Sequence, residues 1–515
     1  MSHITRSRSL ILAFAVLWLV GLACSLSAPT PASWALTPTA QSLAETASAQ
    51  SATQLALTAG PPTVTPPPTP TLFPTAPTAP VTALLPAGPW LIYLTDQGKT
   101  LVLRNPDGSG RTAFAISPLV DVQDFHAGAS PRGGYLAVRT GQANGYKDLN
   151  LDLVHLPDGK VDRLAGLLSP DLAERVKSAP GSHPDEAARA LLQPGALRWS
   201  PDGRYLAFVA VIDGISSDLY LYDTQNRKVE QLTSGSDQVA TPFWSPDSLW
   251  LVVQEVDSFG DGKTWQVDHI VANRMVYRQF NLLYPPPQGG AGEVFLGWTG
   301  PATLLAYSRS QAGGFALHQF DLDKLKDHPL YAGPFSEIAF DPQSKTLAIL
   351  QSSPNGGKAA QEPGLYLMRT DETSPRLAQA GEWRHLSWSP KMNSFSAAGS
   401  QGVLTITPDG QYTLIKAETD CAASPNKSWV VCFAGEGTAS NPGLRLYKPG
   451  SQVLQTITGE AVQEVAWQPD ASGFFYLAGS RLYQVTFPGL QPAVLEENFQ
   501  AGEMNYLGWV NASGH

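Results

Sequence analysis

Residues Ala196–Gly235, ALRWSPDGRYLAFVAVIDGISSDLYLYDTQNRKVEQLTSG, decide the fold. Leu197 and Trp199 alternate with polar neighbours, which reads as a short strand. Ser200-Pro201-Asp202-Gly203 then reverses the chain: proline presets φ, aspartate bonds back to its own backbone, and glycine takes the left-handed conformation that closes a hairpin. Tyr205 to Val211 is an apolar, β-rich run, Asp213-Gly214 breaks it, Asp218 to Asp223 alternates with period two, and Val229 to Thr233 closes the unit. Four antiparallel strands in about forty residues match one blade of a β-propeller.

The grammar recurs along the chain. Trp244-Ser245-Pro246-Asp247, Trp388-Ser389-Pro390 and Trp467-Gln468-Pro469-Asp470 repeat it, and Trp298 with Pro301 and Phe340-Asp341-Pro342 are weaker copies. Ser130-Pro131 and Ser424-Pro425 keep the turn with Ala129 and Ala423 in the tryptophan place. A four-stranded sheet cannot bury both faces alone, so the units must stack. Trp90 to Ile116 supplies three strands without an inner one, and Met504 to Val510, with Trp509, is a strand with no blade of its own. The chain therefore reads as all-β, a single propeller of four-stranded antiparallel blades closed by its C-terminal strand. Nine units can be counted. Because single rings usually hold four to eight blades, the expectation is about eight, within a range of seven to nine.

These turns, each followed by an apolar strand, resemble the Pro-Asp repeats of TolB-like β-propellers, and the same repeats occur in the propeller domains of prolyl-oligopeptidase relatives. The resemblance covers roughly residues 88–515 and is best at 199–208 and 244–253. It implies a binding scaffold whose partner, in TolB-like proteins, is typically another envelope protein. The N-terminal α/β domain of TolB is replaced here by other sequence.

That other sequence falls in two parts. Arg6 and Arg8 precede an apolar run, Leu10 to Leu22, that is shorter than a membrane span needs and ends in Ala23-Cys24. Residues 1–24 thus read as a signal peptide. Gly21-Leu22-Ala23-Cys24 resembles a bacterial lipobox, which implies lipidation of Cys24; ordinary secretion or an uncleaved anchor is the alternative. Residues 25–87, rich in Ala, Thr, Pro and Ser, read as a disordered, partly polyproline-like tether. The expected location is extracytoplasmic, anchored by an N-terminal lipid or secreted. Inside the propeller region, residues 169–194 depart from strand grammar as a helical insertion, with helical patterns at 170–177 and 184–192 placed as a flap on one face.

The 515 residues carry a net charge of −10, which argues against nucleic acid as partner. Most of the thirteen tryptophans are expected in the core, and a monomer is expected. Cys421 and Cys432 flank the Ser424-to-Lys427 turn symmetrically, so they face each other in a hairpin and form a disulfide in an oxidising compartment; the alternative is a pair of buried thiols.

Catalytic motifs are missing. There is no Gly-x-Ser-x-Gly with an α/β-hydrolase domain, no sialidase Asp box, and no metal spacing among the nine histidines. No cofactor is expected. Asp257 to Asp268 touches calcium-loop positions but reads as a solvated hairpin tip. Acidic residues lead into the inner strands at Asp124, Glu293, Glu337, Glu382, Asp420, Glu464 and Glu503; Glu337, Asp420 and Glu464 sit three residues before the tryptophan-equivalent position. In a ring, repeated offsets become a circle of like charge that attracts a cation or basic peptide. Ordinary solvated loop acids are the competing reading. Trp383, Arg384 and His385 lie at the same rim as a contact point. The functional expectation is a non-catalytic, membrane-tethered scaffold for an envelope protein or peptide. The alternative is a carbohydrate-active or other propeller enzyme whose catalytic residues follow no familiar motif.

Overall fold

The computed structural model describes residues 83–511 except 87, 143–145, 179–185, 194, 236, 259–265, 276–278, 285–289, 311–314, 334, 352–361, 400–401, 416–419, 435–441, 449–452, 498 and 500–505. Cys24, Glu503, the signal-like segment and nearly all of the tether lie outside these residues, as does the middle of the Asp257-to-Asp268 loop.

Nine sheets follow one another along the chain, eight of four strands and one of three, every pairing within them antiparallel. The protein is a nine-bladed β-propeller, at the upper end of the expected range. Blade 3 shows how each unit is made: Leu197–Trp199 is innermost, followed outward by Tyr205–Ala210, Asp218–Asp223 and Lys228–Gln231. The two central strands are buried on both faces, because neighbouring blades cover them.

The repeated turn is held by its own side chains. Ser200 Oγ donates to Asp202 Oδ1 (2.6 Å) and accepts from Tyr205 N (2.9 Å), while Arg204 N donates to Asp202 Oδ1 (3.1 Å). Gly203 has φ +65° and donates to the Ser200 carbonyl. Ser245 with Asp247, and Ser424 with Asn426, repeat the arrangement. The turns also touch across blades, since Asp202 N donates to Ser248 Oγ at 3.0 Å.

The repeat tryptophans join blade to blade. Trp199 Nε1 donates to Gly128 O (2.6 Å), Trp244 to Arg198 O (3.1 Å), Trp467 to Ala422 O (2.9 Å) and Trp509 to Trp467 O (2.7 Å). Trp199, Trp244 and Trp467 are buried, Trp509 is half-buried, and each satisfies its one donor on the inner segment of the preceding blade, a use suited to an amphipathic ring.

Leu507–Val510 closes the circle as the inner strand of blade 1, with Leu91 opposite Trp509 and Trp90 opposite Val510. From there Asn511 O accepts from Gly134 N of blade 2, and the Phe125 and Tyr506 rings lie 4.7 Å apart. On the other side, Glu496 of blade 9 takes Arg111 (2.9 Å), Arg104 (3.4 Å) and the Tyr93 hydroxyl, all from blade 1. Cys421 and Cys432 stand opposite each other in blade 8 and are joined as a disulfide.

Blade 2 departs from the pattern. Its inner segment pairs with Tyr135–Gln142 through the bridges Leu119–Thr140 and Ala129–Leu136, with a short helix, Asp124–Gly128, between them. Asp124 and Arg139 are each 1% exposed; the guanidinium meets the carboxylate at 2.7 Å and also donates to the carbonyls of Leu191 and Gln193. Those carbonyls belong to the insertion, whose helices Pro170–Ser178 and Glu186–Leu191 bury Leu172, Ala187, Ala188 and Leu191 in the core shared with blades 2 to 4. The insertion carries helices where helical patterns were expected, and its apolar residues pack into the core shared with blades 2 to 4.

Candidate functional site

The inner strand of blade 7, Trp383–Ser389, breaks register between Arg384 and Ser387. Two backbone amides leave the ladder there, and His385 takes φ +57°, an unusual conformation for a residue with a Cβ. The freed amides are not left unmade. Glu337, from the inner strand of blade 6, accepts His385 N at Oε1 (3.1 Å) and Leu386 N at Oε2 (2.7 Å). A carboxylate pinning two amides of the next blade fixes a bulge that would otherwise fluctuate. The side chains of Arg384 and His385 stand exposed on it.

Lys391 follows this strand at the position where the repeat turn elsewhere carries Asp or Asn. Its carbonyl accepts from Ala423 N of blade 8 (3.2 Å), and its ammonium reaches Glu464 of blade 9 (3.2 Å). Both side chains are partly solvated, so the pair is a weak tie across three blades.

Between blades 6 and 7 lies a small cleft lined by Gln379, Ala380, Gly381, Glu382, Trp383, Leu404, Tyr412 and Leu414. Glu382 is exposed, and Trp383 is buried, 8% exposed, with its indole N–H unpartnered. The structure thus brings Glu337, Glu382, Trp383, Arg384 and His385 into one neighbourhood.

It does not join all the expected acids into a circle of free charge. Glu293 is fully buried in blade 5, where His318 stands between it (3.2 Å) and Asp327 (2.8 Å). Burial pushes the Glu293 carboxyl above the ordinary glutamate range, while the two carboxylates hold His318 above its usual value against burial. Asp124 is spent on Arg139 inside blade 2. Asp420 pairs with Phe433 in the backbone of blade 8, and its side chain lies outside the described residues. Sequence reasoning missed Lys391, although a lysine standing in the Asp position of the turn was the available signal. It also missed Gly381 and Tyr412, which no repeat position marks.

Among the described residues, no group of three or more His, Cys, Asp or Glu is placed to hold a metal ion, and no helix is long and apolar enough to cross a membrane.

No protein-family model matches the chain. A stretch of 67 residues is 39% identical to the uncharacterized peptidase YuxL of Bacillus subtilis (strain 168), covering 13% of this chain and 10% of that protein. The chain therefore spans about a tenth of that relative's length. Among solved structures, a eukaryotic initiation factor aligns at 11% identity over 82% of this chain and 98% of that one, with a TM-score of 0.49. TolB from Acinetobacter baumannii aligns at 15% identity over 57% of this chain and 65% of that one, with a TM-score of 0.28. These likenesses concern the propeller fold alone, which hosts many unrelated functions.

Proposed function

We propose that the chain is an extracytoplasmic, membrane-tethered propeller that captures a protein or peptide partner without catalysis. The carrying observation is the pinned bulge: Glu337 holds the blade 7 inner strand so that Arg384 and His385 project, exposed, beside an open cleft. Rigid presentation of exposed, charged and aromatic groups is what a docking surface requires. The order of the chain supports the setting, with a basic and apolar start ending at Cys24, then the Pro- and Thr-rich stretch, then the ring. Among the described residues the cleft is lined by one carboxylate, Glu382, whereas the usual glycoside hydrolysis needs two across a shared site.

The test is cross-linking of the full chain in its native membranes, wild type against the triple variant Glu337→Ala, Arg384→Glu, His385→Ala. Loss of the wild-type adduct with the ring still folded supports the reading, and an unchanged adduct sinks it. Tethering is checked by Cys24→Ala, which abolishes fatty-acid labelling and releases the protein from the membrane.

A further inference from the structure

The seams of the ring are not alike. Apolar clusters join blade 1 to 2, blades 2 to 4 in series, and then 4 to 5, 5 to 6, 6 to 7, 8 to 9 and 9 to 1. Among the described residues, none spans blades 7 and 8.

The cause lies in what the two sheets turn toward that seam. In blade 7, Phe395, Ala397, Leu404 and Ile406 pack toward blade 6 and are at most 1% exposed. The alternate positions face blade 8. Ser387, Ser396, Thr405 and Thr413 stand opposite one another and lay a row of hydroxyls across all four strands. Blade 8 shows the same contrast. Val431, Leu444 and Leu446 are buried toward blade 9, whereas Val430, Arg445 and Tyr447, on the side of blade 7, are half-buried. Ser396, Ala398, Val403 and Thr405 are half-buried as well, although both central strands of blade 3 are buried throughout. Solvent therefore reaches between these two sheets.

The joining indole is missing too. Trp199, Trp244, Trp467 and Trp509 each donate to the blade before, but blade 8 carries Ala423 in that place. Blade 2 has Ala129 there, yet Phe125 and Tyr506 fill its seam with blade 1. Blade 8 is held to blade 7 by Ala423 N on the Lys391 carbonyl (3.2 Å), and the solvated Lys391–Glu464 pair passes on to blade 9. The Cys421–Cys432 disulfide staples the two innermost strands of blade 8 on the face that blade 7 supports least. At the foot of the seam Ser394 is 3% exposed, and its Oγ makes no hydrogen bond. Parting an apolar seam exposes its surface to water, whereas hydroxyls that part exchange poor partners for good ones.

We propose that the ring parts reversibly between blades 7 and 8, making this seam a side entrance to the central channel. Lys391 is the strap across it, and Arg384, opposite Ala398, stands at its inner edge. An elongated ligand can then enter sideways instead of threading through the ring. The docking surface stands or falls separately.

The experiment compares two variants of the full chain, Ser394→Cys and Ala397→Cys. Both positions lie on the second strand of blade 7 and are buried, but Ser394 faces blade 8 and Ala397 faces blade 6. Labelling by iodoacetamide is followed by mass spectrometry of the peptide carrying the new thiol and normalised to its rate in urea. Ser394→Cys is expected to react at least about tenfold faster than Ala397→Cys, the mark of a local opening at one seam. Adding Ser396→Val and Thr405→Val, which makes the seam face apolar, is expected to slow that reaction several-fold. If this variant melts early, Thr405→Val alone, a change of nearly the same shape, takes its place. Equal protection of the two cysteines overturns the proposal. So does labelling that the valine changes leave as fast as before, because access then does not run between these sheets.

Discussion

Several inner strands of the ring are interrupted, and blades 2 and 7 handle the interruption in opposite ways. In blade 2 the interruption is a helix, and Asp124 on it is sealed against Arg139 with the insertion carbonyls over both. In blade 7 the interruption is a bulge, and Glu337 pins its amides from behind while Arg384, His385 and the Trp383 cleft stay open. Both use an acid to satisfy what the broken ladder leaves over. The first spends its acid and its guanidinium inward and reads as architecture; the second leaves groups facing water and reads as a site.

The comparison breaks most sharply at Arg139. Arg139→Ala leaves Asp124 buried without its counter-ion and strands two carbonyls, so a loss of about 3–5 kcal/mol is expected in chemical unfolding. Replacing both partners together, Asp124→Leu with Arg139→Met, recovers much of that loss if the pair serves structure alone. Glu337→Ala is expected to cost about 1.5–3 kcal/mol, the range for hydrogen bonds to a charged group, and to broaden the His385 amide signal in NMR while blade 2 is unaffected.

A third measurement places the closing seam on the same scale. Burial alone would raise the Glu496 carboxyl, but hydrogen bonds from Arg111 and Tyr93 and the charges of Arg111 and Arg104 hold it below the ordinary glutamate value. A depressed folded-state pKa stabilises above the unfolded value, about 4.3, and that stability fades as pH falls through the lower folded value. Glu496→Gln is therefore expected to flatten the fall in melting temperature between about pH 5 and pH 3. The smallest effect belongs to the solvated tie: Lys391→Met should change stability by no more than about 0.5 kcal/mol.

What the sequence disclosed was local. The side chains of Ser200 and Asp202 make the bonds that shape the turn within six residues, so its chemistry can be read without knowing the fold. The unpaired last strand also declared itself, because a strand must find a partner somewhere. What stayed hidden was the partner of each acid. Glu337 meets amides 48 and 49 residues away and Asp124 meets a guanidinium 15 residues on, so equal offsets in the chain ended in unlike surroundings. The helix in blade 2 had no helix-start signal of its own, since Gln123 makes no side-chain cap. Trp383, Arg384 and His385 were found as neighbours, but the glycine packed against the indole edge follows no repeat and could only be seen in three dimensions.

The pairing of Leu507–Val510 with Trp90–Thr95 also orders events during synthesis. Blade 1 is the first to leave the ribosome and the last to be finished. Until residue 510 emerges, its second strand offers a bare hydrogen-bonding edge to any passing chain. A ring fastened this way is proofread at its final step, and a truncation that removes the last ten residues should yield sticky, protease-sensitive material instead of a slightly smaller protein.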